Sequence, residues 1–336
     1  MGDDAMKPLI SVIVPIYNQE KYIQECLESL FTQGSSRVEF ILMDDGSTDG
    51  SAALCRAALE KYPVNARLIQ QQNQGLLKTR RIGLGHASGD YVMCVDSDDC
   101  LMPGALDFIA GRLEEGRPDL LLFNATSDPE RKKPLFSYPF RDGTAFSGDE
   151  KYTLYRLICC TDQLNNIWAK CVRRELFEDE EVYRDIEGIS NGEDLYQSLV
   201  LLDRAERVLF ADRVLYYYRV NNQSMSRSYN PKHFASEKKV CARRLAYAEK
   251  WSKNGGELVN GAEIWICKIL RDVSRKLFIS DLPWEDMKKE TLRLRGDDFY
   301  RKYYLEARCD PNKRDAVLKS PLPLLRMWKL LYGLKK

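Results

Sequence analysis

The sequence predicts an α/β protein: a mainly parallel sheet flanked by helices, followed by a helical C-terminal extension. Three observations predict it. Apolar runs of strand length alternate with helical patterns through the first 123 residues, as expected of parallel strands joined by crossover helices. Polar clusters follow these runs at their carboxyl ends, the edge where open α/β sheets bind ligands. From about Pro231 the pattern changes to long helices.

Leu9 to Ile16 is a near-continuous run rich in Val and Ile, the pattern of a strand buried on both faces. Tyr22, Ile23, Cys26, Leu27, Leu30 and Phe31 then recur at helical spacing. Val38 to Met43 is a second strand. It stops at Asp44-Asp45-Gly46-Ser47-Thr48-Asp49, a polar turn able to cap a helix beginning near Gly50. Ala66 to Gln70 reads as the third strand, Leu76 to Ala87 as a helix and Tyr91 to Val95 as the fourth strand. Pro103 suits the first turn of another helix, and Asp119 to Phe123 is a fifth strand. Residues 124–150, rich in Pro, Gly, Ser and charge, read as an irregular crossing. Helical pattern resumes near Tyr152, and Arg207–Ala211 and Val214–Arg219 read as two short strands about a turn at Asp212. Phe234, Cys241, Leu245, Ala248 and Trp251 mark one later helix. Leu258, Ala262, Trp265, Ile269, Val273 and Leu277 mark another. These patterns divide the chain into 1–228, with halves 8–123 and 124–228, and an extension 229–336.

Composition excludes several classes. The 336 residues are 44% hydrophobic and 30% charged with a formal net charge of +1, so no global field favours nucleic acid. Two histidines, His86 and His233, leave no His-based zinc site. The ten cysteines form no C-x-x-C pair, several fall in apolar patterns, and no run of about 18 apolar residues spans a membrane. The acidic start Met1–Met6 is no signal peptide. Together these features point to a reducing, cytoplasmic location.

The chemistry concentrates at strand ends. Asp96-Ser97-Asp98-Asp99 closes the fourth strand. Alternation of side chains puts Asp96 and Asp98 on one side, and two carboxylates roughly 4 Å apart repel by about 4 kcal/mol at an effective dielectric of 20. A hard divalent cation, Mg²⁺ or Mn²⁺, relieves that conflict. Against this stands a polar strand end that only caps the next helix. After Pro15, Tyr17 can offer an aromatic face to a planar base, and Asp45 can accept from the ring N–H of uracil; the bland reading is helix capping. Gly75 permits close backbone approach ahead of a helix N-terminus, where Lys78, Arg80 and Arg81 add positive charge suited to a diphosphate. A basic helix face is usually no more than solvated.

The ordered segments S-V-I-V-P-I-Y-N, M-D-D-G-S-T-D, N-Q-G-L-L-K-T-R and A-S-G-D-Y-V-M-C-V-D-S-D-D resemble the family 2 glycosyltransferases of the GT-A fold, with its Rossmann-like sheet. The match runs over about residues 8–110 and resumes over about 165–226. The resemblance implies an inverting transfer from a UDP-sugar donor to a glycan or polyprenyl-linked acceptor, as in bacterial surface polysaccharide or lipopolysaccharide synthesis, with Mn²⁺ or Mg²⁺ as cofactor. It places Pro15, Tyr17, Asp45 and, in the same loop, Glu20 at the nucleoside, and Arg80 at the donor. Asp96, Ser97 and Asp98 become the D-x-D motif, Asp98 on the metal and Asp96 on ribose or metal-bound water. It assigns Glu193-Asp194 to the family's E-D pair, with Asp194 as base; the bland alternative is a pair that only complements a helix dipole. Trp168 and Lys170 fall on a W-x-K segment implied to lie at the acceptor or sugar pocket, Trp168 otherwise being a core residue. Arg81 stands where the family usually has Asn, and Asn221-Asn222 where many members carry His.

The tail 321–336 is short, amphipathic and basic, with Leu324, Leu325, Trp328, Leu331 and Tyr332 on one helical face. It suits peripheral contact with the inner face of a membrane, or packing on the domain or on a second copy in a homo-oligomer. Competing functions are a degenerate sugar-nucleotide-binding subunit, a phosphatase and a nucleotidyltransferase. Asp99-Cys100 lacks the Thr or Val a haloacid-dehalogenase-type phosphatase needs after its second Asp. Pro15-Ile16-Tyr17-Asn18 is not a nucleotidyltransferase's Gly-rich loop.

Overall fold

The computed structural model describes residues 7–185, 189, 191–220, 229–252 and 256–306. Strands β1 (Ile10–Ile16), β2 (Val38–Asp44), β3 (Ala66–Gln70) and β4 (Tyr91–Cys94) alternate with helices α1 (Ile23–Phe31), α2 (Ser51–Lys61) and α3 (Leu76–Gly85). Then come β5 (Cys100–Leu101), α4 (Ala105–Gly116), β6 (Leu120–Thr126), β7 (Ala145–Ser147), α5 (Tyr152–Cys160), β8 (Lys170–Arg173), α6 (Arg174–Glu178), α7 (Glu193–Arg204) and β9 (Arg207–Tyr217). The later helices are α8 (Pro231–Trp251), α9 (Glu257–Phe278) and α10 (Trp284–Gly296), followed by a helical turn Asp298–Tyr300 and a π-helical segment Arg301–Glu306.

The chain divides into two compact units that are discontinuous in sequence. The first comprises 1–151, 163–185 and 197–221. It holds a nine-stranded sheet in the order β3-β2-β1-β4-β8-β6-β9-β5, with β7 also on β9. The α/β class is as expected. Strands β3, β2, β1 and β4 are parallel, in register Ile10 with Val38 and with Tyr91. Strand β8 enters antiparallel between β4 and β6, and β9 then runs parallel to β6. The two short strands expected around Asp212 are one strand, because register shifts near Asn124 absorb the turn. The crossing at 124–150 also contributes the end of β6 and all of β7.

The central strands β1 and β2 are buried at every position, so they carry the near-continuous Val/Ile/Leu composition of doubly covered strands. Helix α1 buries Ile23, Cys26, Leu27, Leu30 and Phe31 against this core, the stripe that its i, i+3, i+4 spacing requires. At the amino ends of the strands, the buried Glu39 accepts from Ser11 Oγ (2.6 Å) and from Ser88 N and Oγ (2.6 and 2.8 Å). Burial pushes the Glu39 carboxyl up, but these donors more than offset it and leave it below the ordinary value. Close approach matters at Gly89, where a Cβ would lie 2.8 Å from the Ser11 nitrogen.

The second unit comprises 152–162, 186–196 and 222–336. Helix α5, which the sequence patterns place before residue 228, packs here on α8 and α9. Phe234 and Cys241 of α8, Ile266, Leu270 and Leu277 of α9, and Tyr300 form its core. Among the described residues, no helix is long and apolar enough to cross a membrane, and nine cysteines are free thiols. The tail 321–336 and Asn221-Asn222 lie outside the described residues.

Candidate active site

Strands β1, β2 and β4 bring their carboxyl ends together in the first unit. Pro15 is buried in β1 opposite Met43, and Tyr17, just beyond the strand, is 48% exposed. Asn18 takes a left-handed φ of 53° and its Oδ1 accepts from Thr48 N at 2.8 Å, so the β1 and β2 loops are tied together. Asp44 and Asp45 are both buried. Asp45 Oδ1 accepts from Gln71 Nε2 and Gln74 N, both at 2.8 Å, and Oδ2 accepts from Gly75 N at 2.9 Å. Three of its roughly four acceptor positions therefore pin the loop entering α3.

Glu20 is engaged by the neighbouring helix. Its Oε2 accepts from Gly50 N at 2.8 Å, at the start of α2, so its carboxylate answers an orphan donor of that helix. Arg80 is buried at 4% exposure and its Nη2 donates to Asp96 Oδ1 at 2.7 Å. It acts as counter-charge to Asp96, because its position on α3 turns the side chain toward the β4 end rather than to solvent.

Asp96 to Asp99 form a tight turn, with Asp99 N donating to Asp96 O at 3.0 Å. Ser97 and Asp99 are buried, while Asp96 and Asp98 are half-buried. The turn is clamped by residues more than a hundred positions later. Tyr216 Oη donates to Asp99 Oδ2 at 2.7 Å and accepts from Asp96 N at 3.1 Å. Arg219 N donates to Asp99 Oδ1 and its Nε to Asp98 O, both at 2.8 Å, and its Nη2 reaches Glu25 at 2.6 Å. Sequence reasoning gave Tyr216 and Arg219 no role. The available signal was the run Leu215–Arg219, in which Tyr216 and Tyr218 share one side of an extended chain.

Both tyrosine rings stack on Trp168, with centroids 4.7 Å and 5.5 Å away. Trp168 is 7% exposed and belongs to the core, so it braces the Tyr216 clamp instead of presenting an open face to a sugar. Lys170 is also buried, and its Nζ donates to Leu164 O at 2.9 Å and to Asn166 O. An ammonium held by backbone carbonyls organises the 164–166 loop. Glu193 and Asp194 open α7 in the second unit, both half-buried. Negative charge in that first turn is favourable to the helix dipole whatever else it does.

The carboxylates of the turn repel one another. Burial, then Asp96, raise the Asp98 pKa. Burial, then Asp96 and Asp98, push Asp99 up to about 8. Arg80 answers Asp96 directly, whereas the Arg219 side chain is spent on the Asp98 carbonyl and on Glu25. This surplus of hard, negative oxygen fits a divalent cation. Among the described residues no three His, Cys, Asp or Glu side chains are grouped to hold one alone. Asp98 and Asp96 would supply the protein's oxygens, and bound phosphates and water the remainder, as Mg²⁺ commonly requires.

Known proteins share the sequence pattern and the fold of this chain. The family model Glycosyl transferase family 2 matches residues 11–171. The glycosyltransferase GlyG of Streptococcus pneumoniae serotype 4 is 30% identical over 243 residues, covering 66% of this chain and 74% of that protein. The glycosyltransferase GlyA of the same organism is also 30% identical, over 230 residues. That match covers 66% of this chain, which spans 32% of GlyA. Among solved structures, residues 1–349 of S. aureus TarS in complex with UDP-GlcNAc superpose with a TM-score of 0.61 at 22% identity. The match covers 96% of this chain and 87% of that one.

Proposed function

The chain belongs to glycosyl transferase family 2, and from that premise we propose that it transfers a sugar, with inversion, from a UDP-sugar to a hydroxyl of a glycan or polyprenyl-linked acceptor. The observation that carries the proposal is the acidic turn Asp96–Asp99, held rigid by Tyr216 and Arg219 at the carboxyl edge of the parallel strands. The UDP-GlcNAc seen in the TarS structure supports a UDP-sugar as donor.

The exposed Tyr17 ring and the remaining acceptor position of Asp45 suit the uracil. Tight anchorage of the turn keeps Asp98 in place as charge develops, which is the economy of a preorganised site. Mn²⁺ or Mg²⁺, when bound at Asp98 and Asp96, supplies Lewis-acid stabilisation of the departing diphosphate. Arg80 limits the repulsion of the empty turn by neutralising Asp96. Asp194, assigned from the Glu193-Asp194 motif, takes the proton of the acceptor hydroxyl, a contribution of typically about 10²–10⁴-fold.

Thermal-shift measurements with UDP, GDP and CDP, each with and without Mn²⁺, test the site. UDP with Mn²⁺ is expected to stabilise the protein and Asp98→Asn to abolish that effect. Stabilisation that ignores Mn²⁺, or survives in Asp98→Asn, refutes the site as drawn. Asp194→Asn is expected to keep UDP binding and lose turnover.

A further inference from the structure

We propose that α8 is a latch that positions the Glu193–Asp194 turn, with Glu237 as its positioning residue; this rests on the reading of Asp194 as the base. Three residues of α8 hold the start of α7, all within the second unit. Asn191 Nδ2 donates to Glu237 Oε1. Val240 packs on Gly192, which has a φ of 83° and where a Cβ would lie 3.0 Å from Val240 Cγ2. The guanidinium of Arg243 lies 3.8 Å from the centroid of the Tyr196 ring. Residues 237, 240 and 243 are three apart, so they form one stripe along the helix. They grip residues 191, 192 and 196, which bracket Glu193 and Asp194.

The latch has its own anchor. Arg244, the next residue, is 1% exposed, and its Nη1 donates to Cys159 O and Thr161 O, both at 3.2 Å, at the end of α5. An arginine buried on this side fixes the rotation of α8 and so the direction of the stripe. Glu237 is pushed up by burial to about 7, against the opposing influence of Lys276 on α9, Arg244 and Asn191, while Asp272 on α9 adds to the rise. A carboxyl in that state accepts from Asn191 much as a glutamine would, so Gln is its conservative replacement.

Such a latch matters because a base must lie within hydrogen-bond reach of the proton it removes, and a misplacement of about 1 Å can cost about 10²-fold. A role confined to stability would lower the melting point without separating kcat from KM.

The test uses the full chain carrying Glu237→Ala, Glu237→Gln or Arg243→Leu. Hydrogen exchange of the amides of residues 192–197 is read first, then UDP release from a panel of UDP-sugars with Mn²⁺. In Glu237→Ala, exchange of these amides should rise about tenfold while the β1 and β2 amides stay protected. For that variant kcat should fall about ten- to a hundredfold with KM within about twofold of wild type. Glu237→Gln should restore both, and Arg243→Leu should raise the same exchange without touching a carboxylate. Unchanged exchange at 192–197 in Glu237→Ala, or a Gln variant that behaves as Ala, overturns the latch. Exchange is read whether or not any donor turns over, so the latch is decided separately from the donor assignment. Wild-type UDP release in Asp194→Asn would overturn the reading of the base on which the latch's function rests.

Discussion

Replacing Tyr216 with Phe removes one oxygen and leaves the rest of the site's frame in place. The ring keeps its stacking on Trp168, 4.7 Å away at 22°, so no cavity opens. Two bonds are lost, to Asp99 Oδ2 at 2.7 Å and from Asp96 N at 3.1 Å. Each is worth about 1 kcal/mol net, and a buried acceptor left orphaned costs a further 1–3 kcal/mol or so. Asp99 keeps its bond from Arg219 N at 2.8 Å, which limits the loss. Together these give a destabilisation of about 2–4 kcal/mol. In a domain of this size each kcal/mol moves Tm by about 2–4 °C. Urea unfolding of wild type, Tyr216→Phe, Asp99→Asn and the double variant completes a thermodynamic cycle. The coupling between the two positions should be about 1–2 kcal/mol. A Tyr216→Phe protein within about 0.5 kcal/mol of wild type, or strictly additive single variants, would show that the clamp contributes nothing to the turn.

Three further outcomes follow from the same structure. Glu39→Gln should cost about 2–4 kcal/mol near neutral pH through the donors it leaves mismatched. The Glu39 carboxyl lies below its ordinary value in the folded protein, so its contribution is present above that value and lost as pH falls through the lowered one. Urea midpoints of wild type and Glu39→Gln should therefore converge on acidification. Gly89→Ala forces a methyl to 2.8 Å from Ser11 N and 2.9 Å from the Ile10 carbonyl carbon; because both are backbone atoms, denaturation should show a loss of about 1–3 kcal/mol. Trp168→Ala should cost about 3–5 kcal/mol as a core truncation, whereas an open sugar platform would lose turnover with its melting point unchanged.

Strands β1 to β4 were legible because parallel strands covered on both faces must be apolar throughout, and polar residues mark where they end. The acidic turn Asp96–Asp99 at the end of β4 was legible for the same reason. Its support was not. Arg80 reads as a surface cation in a basic stretch, and only the placement of α3 over β1, with Gly83 close against Ile13, turns it inward onto Asp96. Trp168 and Lys170 flank the start of β8, whose antiparallel insertion between β4 and β6 no local pattern announces. Once β8 lies there, both side chains are inside. Tyr216 and Arg219 were hidden differently, since pairing over more than a hundred residues leaves no local periodicity. The start of β9 looked like a hairpin because Asp212-Arg213 is a turn-like pair, but a shift in register accommodates it within one strand.

The distance along the chain between the acidic turn and its clamp has a consequence for biosynthesis. Strands β1 to β4 can pair among themselves as soon as they have been made, since their partners are local in sequence. The turn at Asp96–Asp99 has Arg80 as a local partner but acquires its long-range ones only when Tyr216 and Arg219 arrive, and closure of this kind is slow because its entropy must be lost before the contacts form. A nascent chain that has emerged only as far as α7 therefore carries its acidic turn without the Tyr216 and Arg219 bonds. The last strand of the sheet to be synthesised, with the residue two beyond its end, therefore completes the support of the first unit's acidic turn.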